Sequence, residues 1–544
     1  MQEQNEKNEK KDSLKKQGAW LMFAKTVGFV FSFLLPLLVV RLLDQHQVGV
    51  YRQSFQVIVN AIAILPLGFS MSAYYFLNRE TERRGAAIFN ILLFNFVVGG
   101  AGCLALFLYP QFLGNIFQSA DMTRLAPRIG IVIWIWIFSI FLEMVAIANQ
   151  EARLATAFII FAQFSKTLLM AGAVLFFTTV DAFLYAAMIQ GVLQTVILLF
   201  YLNSRFPRFW GKFDFAFFRE QMIYAVPFGL AGILWTLQTD IHNYFVGYRF
   251  SEADYAIYAF GCFQLPLIAM LSESVISVLI PRMTELQIKD DKQEMIRLTA
   301  RAMQKLAFFY FPIYVFLLIT AETFVFTLFT HNYMASVPIF MINLTLLPLQ
   351  ILLTDPIVRA YKELGRFLLV LRIFILIALV AALYWGIWHF GLSGIITIVV
   401  IVSVIEKLIA ETVIVRKLGV GRKDLPLLKN VGKTAFVSLF AGSATYLVYS
   451  FVKDGMFHYG EKLAATLFAA PKLAVTDFIG GGLTLFISGL VFAAIYLAGT
   501  YYFNVIEDGE KDMIKSFVIR PLSFAKKRFG SKKATDHRPL TTDH

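Results

Sequence analysis

Leu43-Asp44-Gln45-His46-Gln47-Val48-Gly49-Val50-Tyr51 returns in altered form 207 residues later, as Phe250-Ser251-Glu252-Ala253-Asp254-Tyr255-Ala256-Ile257-Tyr258. Both stretches read as short polar turns that end in a small residue, a β-branched residue and Tyr. Each follows an apolar run containing a proline, Pro36 or Pro227, and each opens a new apolar run. The separation equals six apolar runs. A duplication of six plus six hydrophobic segments is the signature of a transporter whose substrate site lies between two halves.

Working outward from the two turns, runs of membrane-spanning length lie near 18–40, 53–77, 86–108, 129–150, 154–177, 182–202, 223–246, 255–281, 306–328, 336–354, 367–388, 391–415, 434–452 and 477–500. A span needs about 20 apolar residues, and only helices satisfy their own backbone in lipid at these lengths. The expected fold is an all-α polytopic membrane protein with about fourteen transmembrane helices. Two six-helix bundles, 18–202 and 223–415, form a V joined by a linker at 203–222. A further helix pair follows within 416–500. Residues 1–17 and 501–544 are polar or basic tails, and the first reads as disordered. The first run is too long for a signal peptide and lacks a small-residue cleavage site.

Composition excludes much else. Of 544 residues, 58% are hydrophobic and 16% charged, with 56 Phe and a mean hydropathy of +0.67. Soluble domains carry about 25% charged residues, so a large soluble catalytic domain is ruled out. The net charge of +13 has a topological cause. With the N-terminus taken as cytoplasmic, 37 of the 49 Lys and Arg fall in alternate connections on that side, 8 on the other and 4 inside spans. This is a positive-inside pattern with both termini cytoplasmic. The bases therefore face an anionic leaflet, and nucleic acid is not the expected partner.

Chemical motifs are absent. No G-x-x-x-x-G-K-[ST] phosphate loop occurs, so the chain drives no transport with a nucleotide domain of its own. The 2 Cys have no partner spacing and the 7 His form no H-E-x-x-H. No metal, cofactor or catalytic triad is expected, and the protein reads as a transporter rather than an enzyme. The connections expected outside, 109–128 and 453–476, are too short to hold a glycosyl-transfer site. Segment 282–305 places Met295, Ile296, Thr299, Ala300 and Met303 on one face and reads as an amphipathic surface helix linking the halves. Gly480-Gly481-Gly482 reads as a site of close helix packing.

Several stretches also resemble the polysaccharide transporter family, the O-antigen and capsule-type flippases. They are Gly18-Ala19-Trp20, Lys25-Thr26-Val27-Gly28-Phe29, Val40-Arg41-Leu42-Leu43, Gly49-Val50-Tyr51 and Gly68-Phe69-Ser70. Gln238-Thr239-Asp240, Val246-Gly247-Tyr248 and Ala256-Ile257-Tyr258 match at the start of the second half. The family belongs to the multidrug/oligosaccharidyl-lipid/polysaccharide exporter (MOP) superfamily, with the lipid II flippases and multidrug antiporters. Many polysaccharide flippases have twelve spans, and lipid II flippases carry an extra C-terminal pair. The resemblance implies alternating access in a bacterial inner membrane. The implied cargo is a polyprenyl-(pyro)phosphate-linked oligosaccharide, flipped from the cytoplasmic to the outer leaflet for surface polysaccharide synthesis. Implied partners are membrane lipids, a proton or sodium ion, and a polymerase or glycosyltransferases.

An anionic headgroup crossing hydrocarbon needs cations along its route, and ionisable residues inside spans are functional candidates. Lys25 lies two turns into the first span; the alternative is a lysine reaching back to the headgroups. Lys166 lies about 18 Å into its span; the alternative is an ion pair with an acid such as Glu143. Arg41 and Arg52 flank the first outer turn and read as cavity cations or interface anchors. Arg372 reads as a residue reaching the cytoplasmic surface, and Lys407 with Glu411 as a pair one turn apart. Asp240, Glu273 and Glu143 are the candidate coupling acids, with Glu322 and Glu406 behind them; Glu273, nearer mid-membrane, is the better candidate, and the alternative for Asp240 is a helix-end residue at the interface. The rival readings are an ion-coupled multidrug antiporter of the same superfamily and a membrane polymerase or ligase using lipid-linked sugars. Basic cavity residues speak against the first and short outer connections against the second.

Overall fold

The computed structural model describes residues 20–505, apart from 21, 22, 25, 29, 30, 32, 208, 211, 212 and 468–472. Lys25 and nearly all of both tails lie outside the described residues. Every regular element among the described residues is helical. In chain order they are α1 (Thr26–Leu42), α2 (Gln45–Ile64), α3 (Ala73–Arg79), α4 (Arg84–Leu108), α5 (Gln111–Phe117), α6 (Ala120–Ser139) and α7 (Phe141–Ala148). Next are α8 (Ala152–Phe176), α9 (Val180–Arg205), α10 (Phe215–Arg249), α11 (Glu252–Gly261), α12 (Pro266–Ile288), α13 (Lys292–Ile319) and α14 (Ala321–Phe329). The chain continues through α15 (Val337–Leu344), α16 (Thr354–Ala360), α17 (Lys362–His389), α18 (Leu392–Leu418), α19 (Lys429–Leu467) and α20 (Leu473–Tyr502).

Eleven of these helices or helix pairs are long and apolar enough to cross a membrane, or twelve when α2 and α3, bent by 45°, are taken as one span. The two remaining expected spans fall on α1, which is shorter, and on α11 with α12, which are interrupted at 262–265. The second span departs from the expected continuous run. Its helix starts early because the Asp44 side chain accepts the Gln47 amide at 2.8 Å. It breaks at Leu67 and Gly68, both at positive φ. A Cβ on Gly68 would also lie 2.6 Å from the Gly229 backbone of α10, so the crossing there needs glycine.

Segment 282–305 is not a separate surface helix. It comprises the end of α12, a tight reversal at 289–291 and the start of α13, which the Asp291 side chain caps through the Glu294 amide. The predicted apolar face is real: Met295, Ile296 and Ala300 are buried, and the Tyr361 hydroxyl points at the Met295 sulfur. That face packs within the second half.

α10 runs for 35 residues and belongs to both halves. Its beginning rests on the first: Phe217 meets Phe76 edge-on, and the buried Gln221 accepts from Asn90 at 2.9 Å. Its end packs with α11, where buried His242 and Tyr258 share a hydrogen bond of 2.8 Å. The C-terminal pair α19–α20 lies against α13 and α14. Gly460 and Gly480 bring the pair's backbones together, and Gly481 meets Thr327 of α14.

Candidate functional site

The two halves meet through the repeated stretches themselves. α2 and α11 both begin at capped polar turns, the second a capping box between Ser251 and Asp254. Gly49 of α2 lies so close to α11 that a Cβ would sit 1.8 Å from the Glu252 carbonyl oxygen. Arg52 donates to the Ala259 carbonyl at 3.4 Å and lies over the Phe260 ring at 5.3 Å. His46 joins three helices, 2.9 Å from Asp121 of α6 and 3.6 Å from Glu252 of α11. Gln45 donates to the Asn332 carbonyl at 2.5 Å.

Arg41 completes this closed end. Its guanidinium donates to Leu37 at 2.8 Å within its own helix, and to the carbonyls of Leu328 at 2.9 Å and Thr327 at 2.7 Å. The last two belong to the C-terminal turn of α14, where carbonyls are unpaired and the helix dipole favours a cation. Phe478 of α20 covers the guanidinium at 5.1 Å. Arg41 therefore clamps α1 to α14 and α20.

One turn and more below Arg52, a polar quartet spans α2 and α10. Gln56 donates to Asp240 at 2.9 Å and to the Asn60 side-chain oxygen at 3.2 Å, and Asn60 donates to the Tyr244 hydroxyl at 3.1 Å. Beside it Gln53 is fully buried, and neither of its amide atoms has a partner among the described residues.

Lys166 of α8 lies behind Trp136 of α6, on the side of that ring away from the α2–α10 seam. Its ammonium sits 4.8 Å above the Trp136 ring, and Trp136 stands 6.1 Å from Phe55, the neighbour of Gln56. Trp136 is fixed by its indole N–H bond to the Ala187 carbonyl at 2.9 Å. No carboxylate among the described residues forms an ion pair with Lys166, so the alternative pairing with Glu143 is not made. Glu143 lies in the first turn of α7, within electrostatic reach of Tyr74. Glu273 lies on an exposed face of α12. The structure thus brings Asp240 and Arg52 together at α2, sets Lys166 behind Trp136, and leaves Arg41, Glu143 and Glu273 elsewhere.

A second polar cluster escaped the sequence reading. Arg372 of α17 does not reach for the surface. It pairs with Glu406 of α18 at 3.5 Å, approaches Asp355 at 4.0 Å and covers Trp235 of α10 at 5.0 Å. Gln238 of α10 also donates to Glu406. Lys407 and Glu411 lie within electrostatic reach of each other but not at ion-pair distance, and Glu411 also accepts from the Thr354 hydroxyl at 2.6 Å. Which acids meet which bases across neighbouring helices depends on helix rotation, and no spacing along the chain encodes it.

This architecture has solved counterparts. The lipid II flippase MurJ in an inward closed conformation matches with a TM-score of 0.67 at 14% identity, over 91% of this chain and 99% of that one. A MOP superfamily transporter from Pyrococcus furiosus matches with a TM-score of 0.54 at 15% identity, over 75% and 95%. The Vibrio cholerae MATE transporter VcmN matches with a TM-score of 0.53 at 14% identity, over 76% and 98%. The chain has the MOP superfamily fold. Residues 70–338 also match the family model described as polysaccharide biosynthesis protein, so the resemblance read from the sequence holds. No curated protein sequence matches the chain.

Proposed function

We propose that this MOP-fold protein flips a polyprenyl-(pyro)phosphate-linked oligosaccharide from the cytoplasmic to the outer leaflet of a bacterial inner membrane, for surface polysaccharide synthesis. The observation that carries the reading is Lys166: a cation within a span, with no carboxylate partner among the described residues, stacked on Trp136, whose ring packs on α2, the helix where the halves meet. An unneutralised ammonium in that setting favours an anionic ligand. Lys166 and Lys25 hold the phosphate charge in this proposal, and Arg52 supplies a further cation. The lipid tail stays in the bilayer. Release follows when a proton or sodium ion reaches a coupling acid; the proposal takes Asp240 over Glu273 for this role, supported by the bond its carboxylate accepts from Gln56 between α2 and α10. The membrane potential, about 2.3 kcal/mol per charge per 100 mV, assists an anion moving outward.

Depleting the protein and following lipid-linked sugar by leaflet tests the reading. Accumulation on the cytoplasmic face is expected. Unchanged leaflet distribution with new drug sensitivity would instead select an ion-coupled antiporter, a reading supported by the likeness to MATE transporters and by the acid at the seam.

A further inference from the structure

α2 presents four polar side chains toward the second half: Arg52, Gln53, Gln56 and Asn60. Their spacing keeps them on neighbouring positions of one helical face. The four are unevenly satisfied. Arg52 has five N–H donors and, among the described residues, one hydrogen bond of 3.4 Å. Gln53 is fully buried with no partner for its amide oxygen or nitrogen. Gln56 and Asn60 do have partners, and among the described residues those on α10 are Asp240 and Tyr244.

The space around Gln53 explains its isolation. Gly247 of α10 faces it, and a Cβ there would lie 2.5 Å from Phe117 and 3.4 Å from the Gln53 amide nitrogen. With α10 seated, nothing can reach that amide. A buried polar group without a partner disfavours the arrangement that buries it. The closed seam thus contains a standing demand for hydrogen-bond donors and acceptors, which is met only when α2 and α10 part.

The groups making that demand are neutral amides, with a guanidinium at one end and the rings of Tyr244 and Phe117, 5.6 Å apart, close by. Amides offer paired donors and acceptors. Aromatic rings offer flat apolar faces with a polar edge on Tyr. Sugar rings carry the complement, with hydroxyls that donate and accept around an apolar C–H face.

We infer that Arg52, Gln53, Gln56 and Asn60 form a subsite that reads the sugar of the cargo, completed only as α2 and α10 separate. Headgroup hydroxyls then replace Asp240 and Tyr244 as partners of Gln56 and Asn60, and supply the partners that Gln53 lacks. This rests on the flippase reading and adds a direction to it. A ligand that binds the parted seam better shifts the population toward it. The sugar therefore promotes opening of the end latched by Arg41, Gln45 and His46, while a bare phosphate held at Lys166 does not.

The test uses the full chain in nanodiscs with spin labels at Asn115→Cys and His389→Cys, both exposed positions at the latched end. Two probes are compared: a short-chain polyprenyl pyrophosphate carrying one N-acetylhexosamine, and the same lipid without sugar. The sugar-bearing lipid is expected to bind at least tenfold tighter and to lengthen the label distance; the bare lipid binds without lengthening it. Gln53→Met keeps side-chain length and removes the amide, and it abolishes the tenfold preference while bare-lipid binding persists. Equal binding and equal opening by both lipids overturns the subsite and leaves the flippase reading intact. A Gln53→Met protein that keeps the preference does the same. Binding of neither lipid overturns both. If Gln53→Met fails to fold, the two-lipid comparison on the unaltered chain decides alone.

Discussion

Arg52 donates to the backbone oxygen of Ala259, its own counterpart 207 residues along in the repeat. The duplication is thus visible twice, once as a sequence echo and once as a physical contact, because α2 and α11 occupy equivalent places in the two halves and cross at the end where those halves touch. Gly49 against Glu252 is the tightest point of that crossing.

Gly49→Ala should therefore hold the halves apart. A methyl cannot fit 1.8 Å from a backbone oxygen, and overpacking of this kind costs about 1–3 kcal/mol. Thermal unfolding of the purified protein should fall accordingly. Gly172→Ala, where an added Cβ meets nothing within 4 Å, should leave it unchanged.

Lys166→Gln separates function from stability. The residue has no ion pair to lose among the described residues, and its cation–π contact is worth about 0.5–2 kcal/mol. Surface-polysaccharide output at matched expression should fall at least tenfold with only a small loss of thermal stability. Full output would remove Lys166 from the mechanism.

Arg372→Met should be costly and its rescue informative. Removing one partner of a largely buried ion pair leaves Glu406 uncompensated, at roughly 3 kcal/mol. Adding Glu406→Met should recover most of that loss in the same unfolding measurement. A double variant no better than the single would show that the pair contributes little.

Cysteines at Gln45 and Asn332 should cross-link, since the Gln45 side chain reaches the Asn332 backbone. Oxidation is expected to stop transport and reduction to restore it. Undiminished flux in the oxidised protein would show that this end does not open in the cycle.

Span positions were readable because an apolar run of about 20 residues has few other uses. The repeat was readable because both copies keep a polar turn ahead of a small residue and Tyr. The polar stretch 45–51 reads as a turn in the sequence but is already helix: Gln45 and His46 find partners across the halves, so their polarity does not signal a loop. The breaks at Gly68 and at Thr320 follow from local backbone geometry and packing, which hydropathy does not register. Lys166 could be singled out by depth alone. The polar strip on α2 could not, because Gln and Asn gain meaning only once α10 is seen beside them.

Arg41 has a wider consequence. Its guanidinium is held by α1 and α14 and roofed by Phe478 from the last helix. A variant trimmed after α18 would strip that roof from a half-buried cation and let water compete for the α14 carbonyls. The final two helices are thus no detachable appendage: a version engineered without them would need a new way to moor its first helix.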